Sequence, residues 1–246
     1  MNERIRNTTV IAVGNQKAGA GKTRLIEETL QQLVLRSASV DGLPPFFPYS
    51  VEAQSYDQNT AYAVVRELLT QLLHLSLAQP AEALLAQVNR RVGELLPNLA
   101  RFTPLLGDLL GTPFDDTSLT AALTPQQRHE RTLELFEGLV LAEARANPTV
   151  IIVDDLHWAD ASSLELLGQL AKHTAQAPLL LLLGYRLDPP IAEPWRGQPN
   201  CARIEVRELA PASCTDLVRE LLRGEPPAGL AALIDKAQGN PFFIEE

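Results

Sequence analysis

The chain has few cysteines, few basic residues and no long apolar run. Its two cysteines, Cys201 and Cys214, fit neither a disulfide framework nor a metal site, which favours a reducing compartment. Because 30 acidic residues outnumber 21 lysines and arginines, a broad nucleic-acid-binding face is not expected. The longest apolar run, 177–183, is far too short to cross a bilayer, and the first residues lack the apolar segment of a signal peptide. We therefore expect a cytoplasmic protein without membrane or direct nucleic-acid contact.

Apolar segments alternate with helical patterns along the 246 residues, a length that suits one large α/β domain. The apolar segments, which have the character of buried strands, lie at 8–13, 46–54, 149–153, 179–184 and 203–206. This alternation predicts an α/β fold with a mostly parallel central sheet and helices on both faces. Pro48 favours an edge position for the second strand, because proline cannot donate a ladder hydrogen bond.

Helical periodicity is clearest in three places. The first helix is expected at about 24–36, and leucine stripes at 59–110 predict a helical insertion packed on the α/β core. After a loop at 111–123, Thr124, Pro125 and Gln127 have the spacing of an N-cap, a first-turn proline and a capping box, so a helix is expected to about 146. The segment 162–165, Ser-Ser-Leu-Glu, predicts a second capping box.

The segment 15–23 reads Asn-Gln-Lys-Ala-Gly-Ala-Gly-Lys-Thr and lies between an apolar strand and an amphipathic helix. Strand, glycine-rich turn and helix form the context of a phosphate-binding loop, whose backbone N–H groups surround the phosphates of a nucleotide. Lys22 would reach the β- and γ-phosphates, and the Thr23 hydroxyl would bind Mg²⁺. The expected nucleotide-binding residues are Gln16, Lys17, Ala18, Gly19, Ala20, Gly21, Lys22, Thr23 and Arg24. Gln16 departs from the motif, which has glycine there.

Two carboxylates follow the apolar strand at 149–153. Asp154 has the position at which a P-loop NTPase places the carboxylate that holds Mg²⁺ or one of its waters. Asp155 could orient or deprotonate the water that attacks the γ-phosphate. Arg186, at the end of the next strand, could touch the γ-phosphate and sense hydrolysis. His157 and Trp158 have weaker claims, since a lone histidine beside two aspartates is not a metal site.

Several of these motifs resemble one known family. The segments that carry the resemblance are 121–128, 154–160 with 162–165, 184–186 and 239–243. They are similar to the AAA-type ATPase domain of the signal-transduction ATPases with numerous domains, the kind found beside bacterial class III nucleotide cyclases and in large transcription activators. The resemblance implies ATP or ADP and Mg²⁺ as cofactors, an arginine sensor at Arg186 and a small helical lid whose Pro241 lies against the nucleotide. It also implies a switch that hydrolyses ATP slowly and controls an attached output domain.

The expected division is a P-loop core at 1–208 and a partial lid at 209–246. Besides Gln16, the chain lacks the Gly-Arg-Glu box that the family carries before its first strand, and it ends inside the lid. One alternative is a non-catalytic interaction module, with 59–110 as a docking surface and a structural or vacant nucleotide site. Another is a dimerising ATPase of the partition type, because Lys17 occupies the place of the extra loop lysine of that class.

Overall fold

A computed structural model describes residues 9–15, 21–39, 45–188, 190–207 and 209–224. Five strands form one sheet in the spatial order β2-β3-β4-β1-β5, and every neighbouring pair is parallel. The strands are β1 (Val10–Asn15), β2 (Phe47–Glu52), β3 (Thr149–Asp154), β4 (Leu179–Arg186) and β5 (Cys201–Val206). The predicted α/β fold with a parallel sheet is therefore confirmed. Pro48 lies in the edge strand β2, as expected.

Helices lie between β1 and β2, between β2 and β3 and between β3 and β4, because parallel strands need crossover connections, and one helix follows β5. They are α1 (Gly21–Ser39), α2 (Ala63–Leu72), α3 (Ala81–Leu95), α4 (Leu106–Leu110), α5 (Ser118–Ala121), α6 (Pro125–Ala146), α7 (Ala161–His173) and α8 (Pro211–Leu222). Short 3₁₀ turns lie at Asp57–Asn59, Ala100–Leu105, Leu156–Trp158 and Thr174–Gln176. Among the described residues, no helix is long and apolar enough to span a membrane.

The sheet is covered on both faces. One face carries the larger core, which α2, α3, α6 and α7 share with alternate residues of β3 and β4. The other face carries a small cluster around Ile26 of α1, with Val13, Val150, Ile152 and Leu182 beneath it. Because side chains alternate along a strand, Asp154 has the same parity as Val150 and Ile152 and lies on the α1 side. A residue in the first turn of α1 can therefore contact the end of β3.

The predicted helical insertion is part of the main core. In α2 the residues Val64, Val65, Leu68, Leu69 and Leu72 are at most 1% exposed, and all belong to the larger cluster. Each fully buried leucine contributes roughly 2 kcal/mol of hydrophobic stabilisation. The leucine stripe of α2 is therefore occupied within the domain and is not available as a docking surface.

Two local predictions were wrong. The helix α7 takes its N-cap from Asp160, whose side chain accepts a hydrogen bond from the Ser163 N–H at 2.9 Å, and not from the predicted box at 162–165. The predicted loop at 111–123 contains α5, whose cap Thr117 forms a reciprocal capping box with Thr120. Short capping patterns overlap in sequence, and tertiary contacts decide which oxygen is in place.

Other local predictions are confirmed. The helix α6 begins after Thr124, with the reciprocal bonds between Thr124 and Gln127, and it ends at Ala146. Both cysteines are free thiols, and burial raises the pKa of each. Most of the predicted lid, residues 225–246, lies outside the described residues, and the boundary at 208 remains a prediction.

Candidate nucleotide site

The carboxyl ends of the central strands bring the predicted charged residues together. The strands β1, β3 and β4 end at Asn15, Asp154 and Arg186, and Asn15 is the register partner of Arg186. The helix α1 begins at Gly21 beside the same edge. In open α/β sheets, ligands bind in the crevice outside the carboxyl ends of the strands.

Lys22 is the buried centre of this edge. Its side chain is 4% exposed, and its ammonium donates to Asp154 Oδ1 and to Asp155 Oδ1, the second at 2.6 Å. The positive charge of Lys22 is therefore paired with the negative carboxylates of Asp154 and Asp155 at a largely desolvated position. A buried charge is tolerated only when it is paired and hydrogen-bonded, and here the three groups satisfy one another.

The position of Asp154 depends on a glycine of the neighbouring strand. A Cβ atom added at Gly184 would overlap with Asp154 Oδ1 and would lie 3.0 Å from Ile26 Cδ1. Only a residue without a side chain leaves the carboxylate of Asp154 this space. Gly184 was not among the predicted site residues, although it stands in the sequence directly before Tyr185 and Arg186.

Asp155 adopts a backbone conformation that non-glycine residues seldom use. Its φ is 54°, in the left-handed region, and it starts the 3₁₀ turn Leu156–Trp158. Its N–H donates to Asp154 Oδ1 at 2.7 Å. Aspartate and asparagine tolerate this region better than most residues, but the surrounding contacts must still hold it. The conformation aims Asp155 Oδ1 at Lys22.

His157 is the middle residue of the same turn, and it is only 8% exposed. Its Nδ1 is 3.8 Å from Asp155 Oδ1, and neither ring nitrogen has a hydrogen-bond partner among the described residues. Burial lowers the pKa of His157; the positive charges of Arg186 and Lys22 lower it further, against the opposing effect of Asp155 and Asp154. The imidazole therefore favours its neutral form near pH 7.

Two hydrogen bonds from residues around the start of the helical insertion hold this turn in place. The side-chain amide of Gln58 donates to the carbonyl of His157 at 2.9 Å, and the Tyr62 N–H donates to Asp160 Oδ1 at 3.0 Å. Sequence reasoning missed these contacts, which join residues almost a hundred positions apart. The spacing of Asp160 and Ser163 is an N-cap signal that could have identified Asp160.

The remaining predicted site residues divide into two groups. Gly21, Thr23 and Arg24 lie in the first turn of α1, next to Lys22. Gln16, Lys17, Ala18, Gly19, Ala20 and Pro241 lie outside the described residues, so their roles stay predictions. Lys22, Asp154, Asp155 and Arg186 all lie at the carboxyl edge of the sheet, and their roles in binding and catalysis stay predictions.

The donor set suits Mg²⁺ bound with a nucleotide. The described residues contain no group of three or more histidines, cysteines, aspartates or glutamates that could hold a metal ion by themselves. Mg²⁺ in nucleotide sites is usually held by one or two carboxylates together with substrate phosphates and waters. Asp154 supplies one such carboxylate at the end of a buried strand.

Comparisons with known proteins show which family the chain belongs to. Residues 17–182 match the profile of the AAA ATPase domain, which is about two thirds of the chain. An uncharacterized protein of Rhizobium meliloti is 33% identical over 129 residues, 49% of this chain, and the chain spans 12% of the length of that relative. A solved structure from Pyrococcus horikoshii, described as a signal transduction ATPase with numerous domains that has a tetratricopeptide repeat sensor, aligns over 98% of this chain and 27% of its own, at 16% identity and a TM-score of 0.46. By the match over residues 17–182, the chain belongs to the AAA ATPase domain family.

Proposed function

We propose that the chain is an ATP-binding, slowly hydrolysing regulatory switch module of a multidomain signalling protein. The observation that carries this proposal is the ion-pair cluster of buried Lys22 and Asp154 with half-buried Asp155 at the carboxyl edge of the sheet. A cluster of one lysine and two aspartates, next to the first turn of α1, has the charges that a nucleotide triphosphate and its cation require.

Nucleotide binding would use the first turn of α1 and the loop before it. Lys22 would exchange its two carboxylate partners for the phosphate oxygens, which are also anionic and can take the same ammonium protons. Thr23 and Asp154 would hold Mg²⁺, which neutralises part of the phosphate charge when it is bound. The residues 16–21 would supply backbone N–H groups, and Pro241 would lie against the nucleotide.

Hydrolysis would use the groups that follow β3 and β4. Asp155 would accept a hydrogen bond or a proton from the attacking water, as a general base must lie within hydrogen-bond reach of that water. Arg186 would stabilise the charge that develops on the γ-phosphate and would register its loss.

The same contacts support a slow reaction. The Lys22 ammonium donates to Asp155 Oδ1 at 2.6 Å, so bound phosphates would first have to take over this ammonium before Asp155 could accept from water. A slow turnover leaves the ATP-bound form populated for long periods, which is what a switch that controls an attached output domain requires. Cytoplasmic location, the signalling role and the output domain belong to this proposal.

The non-catalytic alternative finds less support. Its docking surface would use the leucines of 59–110, but those of α2 are buried in the core of the domain. The partition-type alternative depends on Lys17, which lies outside the described residues. Sedimentation with and without ATP tests the nucleotide-dependent self-association that this alternative requires.

Calorimetric titration with ATP and Mg²⁺ tests the proposal. We expect the parent chain to bind, and we expect Lys22→Ala to lose binding because the phosphates lose their buried cation. Lys172→Ala is the matched control, since Lys172 is an exposed lysine of α7 that contacts Gln169. A parent that releases no heat with ATP and Mg²⁺, or a Lys22→Ala variant that binds as well as the parent, would overturn the proposal.

A further inference from the structure

We propose that Gln58, an exposed residue directly before the helical insertion, is a positioning residue of the nucleotide site. Its side-chain amide holds the carbonyl of His157 and so fixes the turn that presents Asp155 to the reacting water. This inference rests on the proposed ATP hydrolysis and extends it to a residue that touches neither nucleotide nor metal.

Gln58 donates a hydrogen bond to a carbonyl of the turn that the backbone does not pair. Within the 3₁₀ turn, the Trp158 N–H donates to the Asp155 carbonyl at 2.8 Å, and the Ala159 N–H donates to the Leu156 carbonyl at 3.1 Å. Among the described residues, the carbonyl of His157 accepts only from Gln58 Nε2, at 2.9 Å. The side chain of Gln58 thus completes the hydrogen bonds of the turn that the backbone leaves open.

Asp155 needs a contact that stabilises the turn because its backbone is in the left-handed region, at a φ of 54°. A non-glycine residue keeps this conformation only where its surroundings hold it in place. Lys22 holds the side chain of Asp155 from one side. Gln58 holds the other end of the same turn two residues later, and this contact would remain when Lys22 exchanges its carboxylate partners for phosphate oxygens.

A second contact shows that the whole 57–62 segment lies against the 155–160 turn. Asp160 Oδ1 accepts from the Tyr62 N–H at 3.0 Å and from the Ser163 N–H at 2.9 Å, so the cap of α7 is shared with the entry to α2. The Gln54 N–H donates to Asp57 Oδ2 at 2.7 Å, which holds the segment itself. Gln58 is therefore presented by a fixed backbone.

The position of Gln58 allows a clean test. The residue is exposed and belongs to neither hydrophobic cluster, so replacing it should leave the fold intact. Gln58→Met has nearly the same size and no donor, whereas Gln58→Arg restores a donor. Asn59→Met places the same new side chain at the next exposed position, whose side chain makes no hydrogen bond to the turn, and serves as the matched control.

The test measures ATP hydrolysis by the full chain and, separately, acrylamide quenching of tryptophan fluorescence. We expect Gln58→Met to lower kcat by about tenfold with KM unchanged, because misplacing a catalytic group slows the chemical step while the phosphate contacts remain. Gln58→Arg should recover most of kcat, and Asn59→Met should match the parent. Equal kcat, within about twofold, for Gln58→Met and Asn59→Met would overturn the proposal.

Quenching separates this inference from the proposed function. Trp195 is fully buried and Trp158 is half-buried in the turn, so acrylamide reports mainly on Trp158. We expect a larger Stern–Volmer constant for Gln58→Met than for Asn59→Met. If the parent hydrolyses no ATP, the proposed function fails, and quenching still decides whether Gln58 holds the turn. Equal quenching in the two variants would overturn the inference.

Discussion

Gly184 of β4 leaves the space that the carboxylate of Asp154 occupies on the neighbouring strand β3. A Cβ atom at position 184 would overlap with Asp154 Oδ1 and would approach Ile26 Cδ1 of α1 to 3.0 Å. The backbone of Gly184 is not in the left-handed region, so the constraint is one of space alone. The relationship links a glycine to the carboxylate that we propose as a magnesium ligand.

Gly184→Ala should therefore weaken nucleotide binding. The displaced Asp154 carboxylate would no longer hold Mg²⁺, and we expect the Kd for ATP with Mg²⁺ to rise by at least about tenfold. The crowding should also lower the free energy of unfolding by about 1–3 kcal/mol. Calorimetric titration and urea denaturation measure the two effects.

Gly93→Ala is the matched control for this substitution. A Cβ atom at Gly93 meets nothing within 4 Å, and the residue lies in the helix α3. Alanine is the better helix former, so the control should be more stable by up to about 1 kcal/mol and should bind as the parent does. Equal affinity of Gly184→Ala and Gly93→Ala would contradict the proposed role of Asp154.

Lys22→Met tests the charge balance of the site. The variant keeps an apolar side chain of similar length but leaves Asp154 and Asp155 without their ammonium. Removing one partner of a buried ion pair leaves the remaining charge uncompensated, and we expect the free energy of unfolding to fall by about 3 kcal/mol. Urea denaturation at pH 7 measures it.

The double variant Lys22→Met/Asp155→Asn identifies the cause of that loss. Removing one of the two carboxylates relieves their repulsion, so the double variant should be more stable than the sum of the single changes predicts, by about 1 kcal/mol or more. Strict additivity would show that Lys22 stabilises the fold by packing and not by its charge.

Asp155→Asn should separate binding from turnover. Asparagine has nearly the same shape as aspartate and tolerates the left-handed conformation of position 155, so the turn should persist. The amide cannot take a proton from water, and we expect kcat to fall by about 100-fold or more while the Kd for ATP stays within about threefold. Phosphate release and calorimetry measure the two constants.

Asp154→Asn is the comparison for this prediction, because it should lose Mg²⁺-dependent binding itself. If Asp155→Asn kept the turnover of the parent, Asp155 could not be the group that acts on water. In that case the base would have to be sought elsewhere at the carboxyl edge of the sheet.

His157 predicts a loss of stability on acidification. Burial, with help from Arg186 and Lys22, holds its pKa in the folded state below the ordinary value of 6.5. The unfolded chain then binds a proton more readily than the folded chain, so stability is full above about pH 6.5 and is lost as the pH falls below that value. The loss is at most about 1.4 kcal/mol per pH unit for this single proton.

Denaturation of the parent and of His157→Gln between pH 5 and 8 measures this contribution. The glutamine variant should lack it, so the difference in the free energy of unfolding between the two proteins should change below pH 6.5. Other titrating groups are shared and cancel in the difference. Parallel curves for the two proteins over the whole range would contradict the argument.

Much of the fold follows from local patterns. The apolar segments near 10–15 and 149–154 are strands because β-branched and aliphatic residues suit a sheet that is covered on both faces. The start of α6 follows from Thr124, Pro125 and Gln127, whose caps are formed within four residues. The charged candidates Lys22, Asp154, Asp155 and Arg186 could be named because each stands directly after or near a strand end.

Other features could not be found along the chain. Asp160, and not the 162–165 segment, caps α7, because its oxygen also accepts from the Tyr62 N–H of the helical insertion. The contact between Gln58 and the His157 carbonyl joins residues that come together only when β2 pairs with β3. No local pattern encodes such a pairing.

The sequence by itself determined the kind of chemistry: a glycine-rich segment with Lys22, and carboxylates after an apolar strand, in the order of a nucleotide-binding fold. Only the tertiary structure decided how these groups meet. The strand order β2-β3-β4-β1-β5 lays Gly184 against Asp154 and brings Lys22 within 2.6 Å of Asp155. Residue types and their spacing are local properties, whereas burial and the pairing of charges depend on which strands become neighbours.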